Sequence, residues 1–176
     1  MKKILVAVDG SDHSQRAIEL AADIAAKYDA KLLFVNVIDK RSLNDAERRL
    51  AESEFSAEIR RRIADSDWTD VDPGGRKGIE PTIARHIEIS NLIRMTIGEG
   101  ILEAAKREAQ VKGVKVVEAI LGNGDPADVI LETSKQHDVN LIVIGSRGQS
   151  DIKSLFLGSV SHKVANLSEV SVITVK

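Results

Sequence analysis

An apolar run near the C-terminus stops at a glycine, and this feature constrains the fold most. Residues 141–144 are of the buried type, Gly145 follows them, and Gly148 comes three residues later. Nine further residues lead to Gly158 and Ser159, where a segment with helical periodicity begins. A strand, a glycine loop and a helix N-terminus together can bind phosphate, because their backbone N–H groups point towards the anion.

Apolar runs alternate with helical segments along much of the chain. β-Branched and aliphatic runs predict strands, and apolar positions three to four residues apart predict helices. Strands are predicted at residues 4–8, 31–38, 114–121, 140–144 and 170–175, and helices after Ser11, at 126–137 and at 158–166. Such alternation is typical of parallel sheets. We therefore predict a doubly wound, five-stranded parallel α/β sheet with helices on both faces.

The middle of the chain does not follow this alternation. Residues 42–63 have a helical apolar face, and residues 82–96 and 100–111 are predicted as two more helices. Residues 65–80 are rich in Asp, Gly and Lys and are the best candidate for a mobile loop. We predict one domain over residues 1–176, with a helical and loop insertion after the second strand, at about 40–98.

Composition argues against several classes of function. The chain has 25 Lys and Arg against 27 Asp and Glu, so it lacks the excess positive charge that binds nucleic acids or anionic membranes. It contains no cysteine, which excludes disulfides and thiolate sites, and its four histidines are far apart in sequence. The N-terminal apolar run is too short for a signal peptide or membrane span. We expect a cytoplasmic protein without nucleic-acid or membrane partners.

Three predicted strand ends are expected to share one crevice. Ligands of open parallel sheets bind outside the carboxyl ends of the strands, where the strand order reverses. The candidate ends are Val8 to Gly10, Asn36 to Ile38, and Ile144 with Gly145. Arg147 would add a charge-assisted contact to a phosphate, and Asp9 would offer an oxygen ligand for Mg²⁺ beside it. The sequence therefore predicts a nucleotide site with an associated Mg²⁺.

These residues also resemble a known signature. The spacing of Gly145, Gly148, Gly158 and Ser159 looks like the ATP-binding motif of the universal stress protein family, and residues 4–11, 35–39 and 124–126 match it too. The resemblance covers residues 1–40 and 100–176. It implies a Rossmann-like fold of the adenine nucleotide alpha hydrolase-like kind, with ATP, AMP or ADP bound together with Mg²⁺.

The resemblance implies a role for each matching residue. The cofactor-binding set is Ala7, Val8, Asp9, Val37, Ile144, Gly145, Arg147, Gly148, Gly158, Ser159 and Val160. In this set Ala7, Val8 and the main chain of Val37 flank adenine and ribose. The glycine loop wraps ribose and phosphates, and the helix start at Gly158 binds the phosphates. Family members commonly pair through the final strand, which implies a homodimer; Ser171 stands where many members have proline.

The leading functional prediction is a nucleotide-dependent regulator or sensor in a stress response, read by an unknown protein partner. One alternative is a slow ATP hydrolase or nucleotidyl-transfer enzyme. No catalytic residue is predicted, since Ser146 lacks the Gly-x-Ser-x-Gly setting of a nucleophile. A second alternative is an interaction protein that works through residues 40–98.

The glycine motifs and Asp9 also have purely structural explanations that involve no ligand. The loop after Gly145 could be a tight turn that binds nothing, and Asp9 could be a turn residue at a helix start. Gly122-x-Gly124-x-x-Ala127 matches a loose dinucleotide fingerprint. The next strand ends without the acidic residue that would bind ribose, and Pro126 removes an N–H that pyrophosphate would use. Residues 74–78 are glycine-rich and basic but do not form a P-loop motif.

Overall fold

The computed structural model of the chain describes residues 3–39, 45–65, 81–114, 117–148 and 158–176. The strands are β1 (Lys3–Ala7), β2 (Lys31–Ile38), β3 (Val117–Asn123), β4 (Leu141–Gly145) and β5 (Ser171–Val175). The helices are α1 (Asp12–Tyr28), α2 (Asp45–Ser53), α3 (Ser56–Asp65), α4 (Pro81–Val111), α5 (Pro126–Gln136) and α6 (Ser159–Leu167). All five predicted strands are therefore present.

The strands form one parallel sheet in the order β3-β2-β1-β4-β5. The chain proceeds outward from β1 to β3, then returns to the other side of β1 for β4 and β5. The direction of winding thus reverses between β1 and β4. This topology confirms the predicted doubly wound α/β sheet.

Apolar layers cover both faces of this sheet, because side chains alternate between the faces of each strand. On one face Ile4, Val6 and Phe34 pack against α1 and the C-terminal half of α4. On the other face Leu5 and Ile142 pack against α5 and α6. Continuous aliphatic strands are expected where both faces are covered by helices.

The chain divides into two compact units, Met1–Lys40 with Gly98–Lys176, and Arg41–Ile97. The first unit contains the sheet. The second contains α2, α3 and the N-terminal half of α4. Within α3, Glu58 accepts hydrogen bonds from Arg61 and Arg62, and these bonds lower the pKa of Glu58 to about 2. Arg61 and Arg62 thus form ion pairs with Glu58 on a partly exposed face of α3.

Two helix predictions in the middle of the chain were wrong in detail. The helix predicted at 42–63 is two helices, α2 and α3, with serines on both sides of the break; serine favours helix ends over interiors. The helices predicted at 82–96 and 100–111 are one helix, α4, of 31 residues. Despite this length, no helix among the described residues is apolar enough to span a bilayer. The mobile loop was predicted at residues 65–80. Residue 65 is the last residue of α3, and residues 66–80 lie outside the described parts of the chain.

Candidate nucleotide site

The reversal of strand order places the ends of β1 and β4 side by side. Ala7 of β1 pairs with Ile144 of β4, and on the other side with Val35 of β2. Val8 continues β1 by one residue, and its N–H donates to the Val35 carbonyl at 2.9 Å. The predicted residues Val8, Ile144 and Val37 thus lie at the carboxyl edges of three neighbouring strands.

The end of β1 passes into α1 through a turn built on Asp9. Asp9 Oδ1 accepts the Ser11 N–H at 3.0 Å, and the Asp9 N–H donates to Ser14 Oγ at 3.2 Å. Gly10 has a φ of 80°, which glycine adopts without strain. Ser11 is the N-cap of α1 and accepts the Ser14 N–H. Asp9 is therefore a turn residue whose carboxylate is held at the strand end.

The glycine loop after β4 is closed at its base by Ser146. The Ser146 carbonyl accepts the Gly158 N–H at 2.8 Å and the Ser161 hydroxyl at 2.9 Å. The Ser146 N–H donates to the Val175 carbonyl at the end of β5 at 2.6 Å. The carbonyl of Arg147 accepts the Ser11 hydroxyl at 3.4 Å. These bonds bring the two ends of the loop together beside α1.

Two glycines of the motif lie where a side chain would collide with a neighbour. A Cβ at Gly145 would lie 2.9 Å from the backbone of His13 and Ser14 at the start of α1. A Cβ at Gly148 would lie 2.7 Å from Asp9 Oδ2. The glycines therefore permit the close approach of β4 and its loop to the end of β1.

The N-terminus of α6 lacks a side-chain cap. Gly158 is its N-cap, and no side chain bonds to the first turn from this position. Ser159 is exposed and Val160 is half-buried. The first N–H groups of a helix lack intrahelical partners and carry a partial positive charge, so this turn suits an anion. Residues 149–157 of the loop lie outside the described parts.

The residues of this edge have the chemistry of a phosphate site. The tight glycine backbone, the uncapped first turn of α6 and the half-buried Arg147 are suited to phosphate oxygens. Asp9 is the carboxylate next to them. Among the described residues, no three His, Asp or Glu side chains form a metal-binding group, so a metal here would need oxygens of its ligand.

The sequence placed Asn36 at one of the candidate strand ends without a role for its side chain, and it gave no role to Ser161. Asn36 is 8% exposed and donates from Nδ2 to the Val8 carbonyl at 2.7 Å. Ser161 is buried and binds the Ser146 carbonyl. Both could be recognised in the sequence, because each is a polar residue at a position where the strand or helix periodicity predicts a buried apolar side chain.

A histidine and a serine meet near this site. His13 Nδ1 lies 3.4 Å from Ser146 Oγ. Ser146 is 3% exposed, and its main chain anchors the loop. The pair is therefore a contact between the residue that follows β4 and the start of α1.

The second glycine turn, before α5, is already occupied by a carboxylate. Gly124 has a φ of 139°, and Asp125 caps α5 by accepting the Asp128 N–H at 3.1 Å. Lys163 of α6 lies 3.1 Å from Asp125, and its hydrogen bond lowers the pKa of Asp125. Because the Asp125 side chain takes the place that a pyrophosphate would need, the structure also argues against a dinucleotide site here.

The whole chain matches a known family. The model of the universal stress protein family matches residues 1–176. The relative "Universal stress protein YxiE" of Bacillus subtilis (strain 168) is 34% identical over 184 residues, covering 99% of this chain and 98% of the relative.

Solved structures share the fold. Universal stress protein UspA from Lactobacillus plantarum has a TM-score of 0.68 at 19% identity, covering 99% of this chain and 97% of the other. A family protein from Arabidopsis thaliana with AMP bound has a TM-score of 0.57 at 22% identity, with coverages of 100% and 92%. The universal stress protein from Archaeoglobus fulgidus in complex with dAMP has a TM-score of 0.58 at 20% identity, with coverages of 100% and 98%.

Proposed function

The chain belongs to the universal stress protein family, and from this premise we propose that it binds an adenine nucleotide at the carboxyl ends of β1, β2 and β4. The observation that carries the proposal is the closed glycine loop. The Gly158 N–H to Ser146 carbonyl bond brings the uncapped start of α6 to the loop that approaches Asp9. Two structures with the same fold contain AMP and dAMP, which supports an adenine base.

The proposal assigns the parts of the nucleotide to residues of the edge. The base and ribose would lie against Ala7, Val8 and the main chain of Val37. The ribose and phosphates would lie against Ile144, Gly145, Arg147 and Gly148. The phosphates would contact Gly158, Ser159 and Val160 at the start of α6, where the helix dipole favours negative charge.

ATP with Mg²⁺ is the proposed physiological ligand. Asp9 would supply one oxygen near the metal, and phosphate oxygens would supply others. Isothermal titration of the purified chain with ATP, ADP and AMP, each with and without MgCl₂, tests this assignment. Micromolar affinity corresponds to about 8 kcal/mol. Absence of adenine nucleotide in the supernatant of the denatured protein, together with no binding at millimolar ATP and Mg²⁺, would refute nucleotide binding.

We propose that the bound nucleotide controls the conformation of this chain in a stress response. A protein partner in the cytoplasm would bind differently to the ATP-bound and AMP-bound forms. A ligand shifts a conformational equilibrium only by its different affinities for the two states. ATP and AMP differ at the phosphates, where the glycine loop and α6 would contact them. Capture of partner proteins by the ATP-saturated and AMP-saturated chain tests this role, and identical partner sets would contradict it.

A homodimer through β5 is also proposed. β5 is an edge strand, and its side chains Val172 to Val175 are half-buried. The Val175 carbonyl accepts the Ser146 N–H, so Val175 directs its main chain towards β4. The N–H and carbonyl of the neighbouring Thr174 consequently point to the open edge, because main-chain directions alternate along a strand. A second copy can extend the sheet there.

The helical unit Arg41–Ile97 is proposed as an insertion in a single nucleotide-binding domain, with a role in partner binding. Replacing residues 41–97 with a short Gly/Ser linker tests this division. ATP affinity that survives the replacement while partner capture is lost would support it. Loss of the folded sheet would contradict it.

A further inference from the structure

One polar side chain interrupts the apolar layer between the sheet and α4. Asn36 lies on the same face of β2 as Leu32 and Phe34, and like them it is buried. Its Nδ2 lies 2.7 Å from the Val8 carbonyl. A carbonyl can only accept, so this contact fixes the orientation of the Asn36 amide.

The Asn36 amide replaces a step of the β1–β2 ladder. The last main-chain bond between these strands runs from the Val8 N–H to the Val35 carbonyl at 2.9 Å. In parallel strands the next bond would run from the Val37 N–H to the Val8 carbonyl. Within residues 3–39 no such bond is present, and the Asn36 side chain binds that carbonyl instead.

The N–H of Val37 therefore points past the end of β1. Val35 and Val37 are two residues apart, so their main-chain polar groups lie on the same side of β2, towards β1. The Val35 carbonyl is used by Val8, whereas the Val37 N–H extends into the crevice where the winding of the sheet reverses. A donor at this place is available to a ligand.

Helix α4 holds the Asn36 amide from its other side. A Cβ at Gly98 would lie 2.6 Å from Asn36 Oδ1 and 2.7 Å from Leu121 Cδ1. The helix backbone thus approaches the amide closely enough to exclude a side chain. Asn36 thus lies between the Val8 carbonyl, which it binds, and the backbone of α4.

We infer that Asn36 is a positioning residue that sets base selectivity: by binding the Val8 carbonyl, it keeps the Val37 N–H for an acceptor nitrogen of adenine. The inference rests on the proposed nucleotide site. Adenine presents an unprotonated N1 on its pairing edge, whereas guanine presents an N1–H donor there. A fixed N–H donor favours the first base and leaves a donor facing a donor with the second.

The test compares two asparagines that bind strand ends at opposite edges of the sheet. Asn140 Oδ1 accepts the Lys3 N–H at 3.1 Å at the amino edge. Asn140→Leu is therefore a control for losing an asparagine side-chain bond to a strand end away from the site, at an exposed position, whereas Asn36 is buried. Titrations use ATP, GTP and inorganic triphosphate. In Asn36→Leu the Val37 N–H can bond to the Val8 carbonyl, and ATP affinity should fall roughly threefold to tenfold, the value of one hydrogen bond.

Triphosphate affinity should stay unchanged in Asn36→Leu, and the ratio of ATP to GTP affinity should fall. Asn140→Leu should lower stability without changing this ratio. An unchanged ratio in Asn36→Leu, or an equal loss for all three ligands, overturns the inference and leaves the proposed function intact. Failure of the unchanged chain to bind ATP overturns the proposed function and this inference with it.

Amide hydrogen exchange provides a readout that does not require the variant to fold. In the unchanged protein the Val37 N–H should exchange faster than the Val35 N–H without ligand, and ATP should protect it. Inorganic triphosphate should leave its exchange unaltered. A Val37 N–H that is already protected in the ligand-free protein, or that ATP fails to protect, overturns the inference.

Discussion

Substituting Gly148 with alanine tests whether the glycine loop acts through Asp9. Gly148 does not have a positive φ, so alanine can adopt its backbone conformation without strain. The new methyl group would lie 2.7 Å from Asp9 Oδ2, which is roughly 0.7 Å closer than an ordinary contact. The Asp9 carboxylate must therefore turn away from the loop.

The size of the effect follows from what Asp9 contacts. Its Oδ1 accepts the Ser11 N–H at 3.0 Å, so turning the carboxylate sacrifices a hydrogen bond worth about 1 kcal/mol of folding free energy. If Asp9 also contacts the ribose or the metal, the lost charge-assisted bond is worth roughly 1.5–3 kcal/mol of binding free energy. ATP affinity should then fall about tenfold to a hundredfold.

A double-mutant cycle and a glycine control decide the matter. Titration calorimetry and urea unfolding are measured for Gly148→Ala, Asp9→Ala and the double variant. Because the methyl group acts by moving Asp9, Gly148→Ala should cost little further affinity in the Asp9→Ala background. Gly113→Ala, at a φ of 86° with no neighbour within 4 Å, should also lose about 1 kcal/mol of stability but keep full ATP affinity. Additive losses in the cycle would refute the reasoning.

Further substitutions test the dimer edge and the loop anchors. Thr174→Pro removes a main-chain donor from the open edge of β5 while keeping the β4 ladder, so light scattering should show monomers with an unchanged circular dichroism spectrum. Ser161→Ala removes the buried hydroxyl bond to Ser146 and should cost about 1 kcal/mol in urea unfolding. Lys163→Met should raise the pKa of Asp125 towards its ordinary value in NMR titrations. Because folding lowers the pKa of Asp125, its ionised form stabilises the fold at pH values above the ordinary Asp pKa of 3.8. The small stability loss in Lys163→Met should therefore shrink as pH falls below 3.8 and vanish once pH is below the lowered pKa of folded Asp125.

The layered fold could be predicted from sequence because its strand and helix patterns are local and recur along the chain. Aliphatic strands with helical segments between them leave few alternatives to a parallel sheet. The continuity of α4 could not be predicted, because Gly98 and Gly100 weaken a helix judged by propensity alone. The structure supplies the reason for Gly98: it is a contact point with Asn36 and Leu121, so packing, not flexibility, selects glycine there.

Some parts of the candidate site could likewise be predicted from sequence motifs, whereas others depend on contacts that form only on folding. Glycine spacing identified the loop and the start of α6, and the proposal for Val37 followed from its place at a strand end. The hydrogen bonds of Ser146 and Ser161 were not predictable, because each depends on which chain segments meet after folding. Serine is common in loops, and nothing in its local sequence marks it as a buried anchor.

Asn36 shows why a buried polar residue at a strand end carries more information than its sequence context. An apolar residue there would continue the layer formed by Leu32 and Phe34, and the ladder would extend to Val37. Burying an amide costs desolvation free energy, which is compensated only if the amide forms hydrogen bonds in the folded protein. Here the acceptor is the Val8 carbonyl, one residue beyond β1, and the main-chain ladder between the two strands stops at the Val8 to Val35 bond. The same bond that compensates burial of the amide therefore exposes a main-chain donor to the crevice.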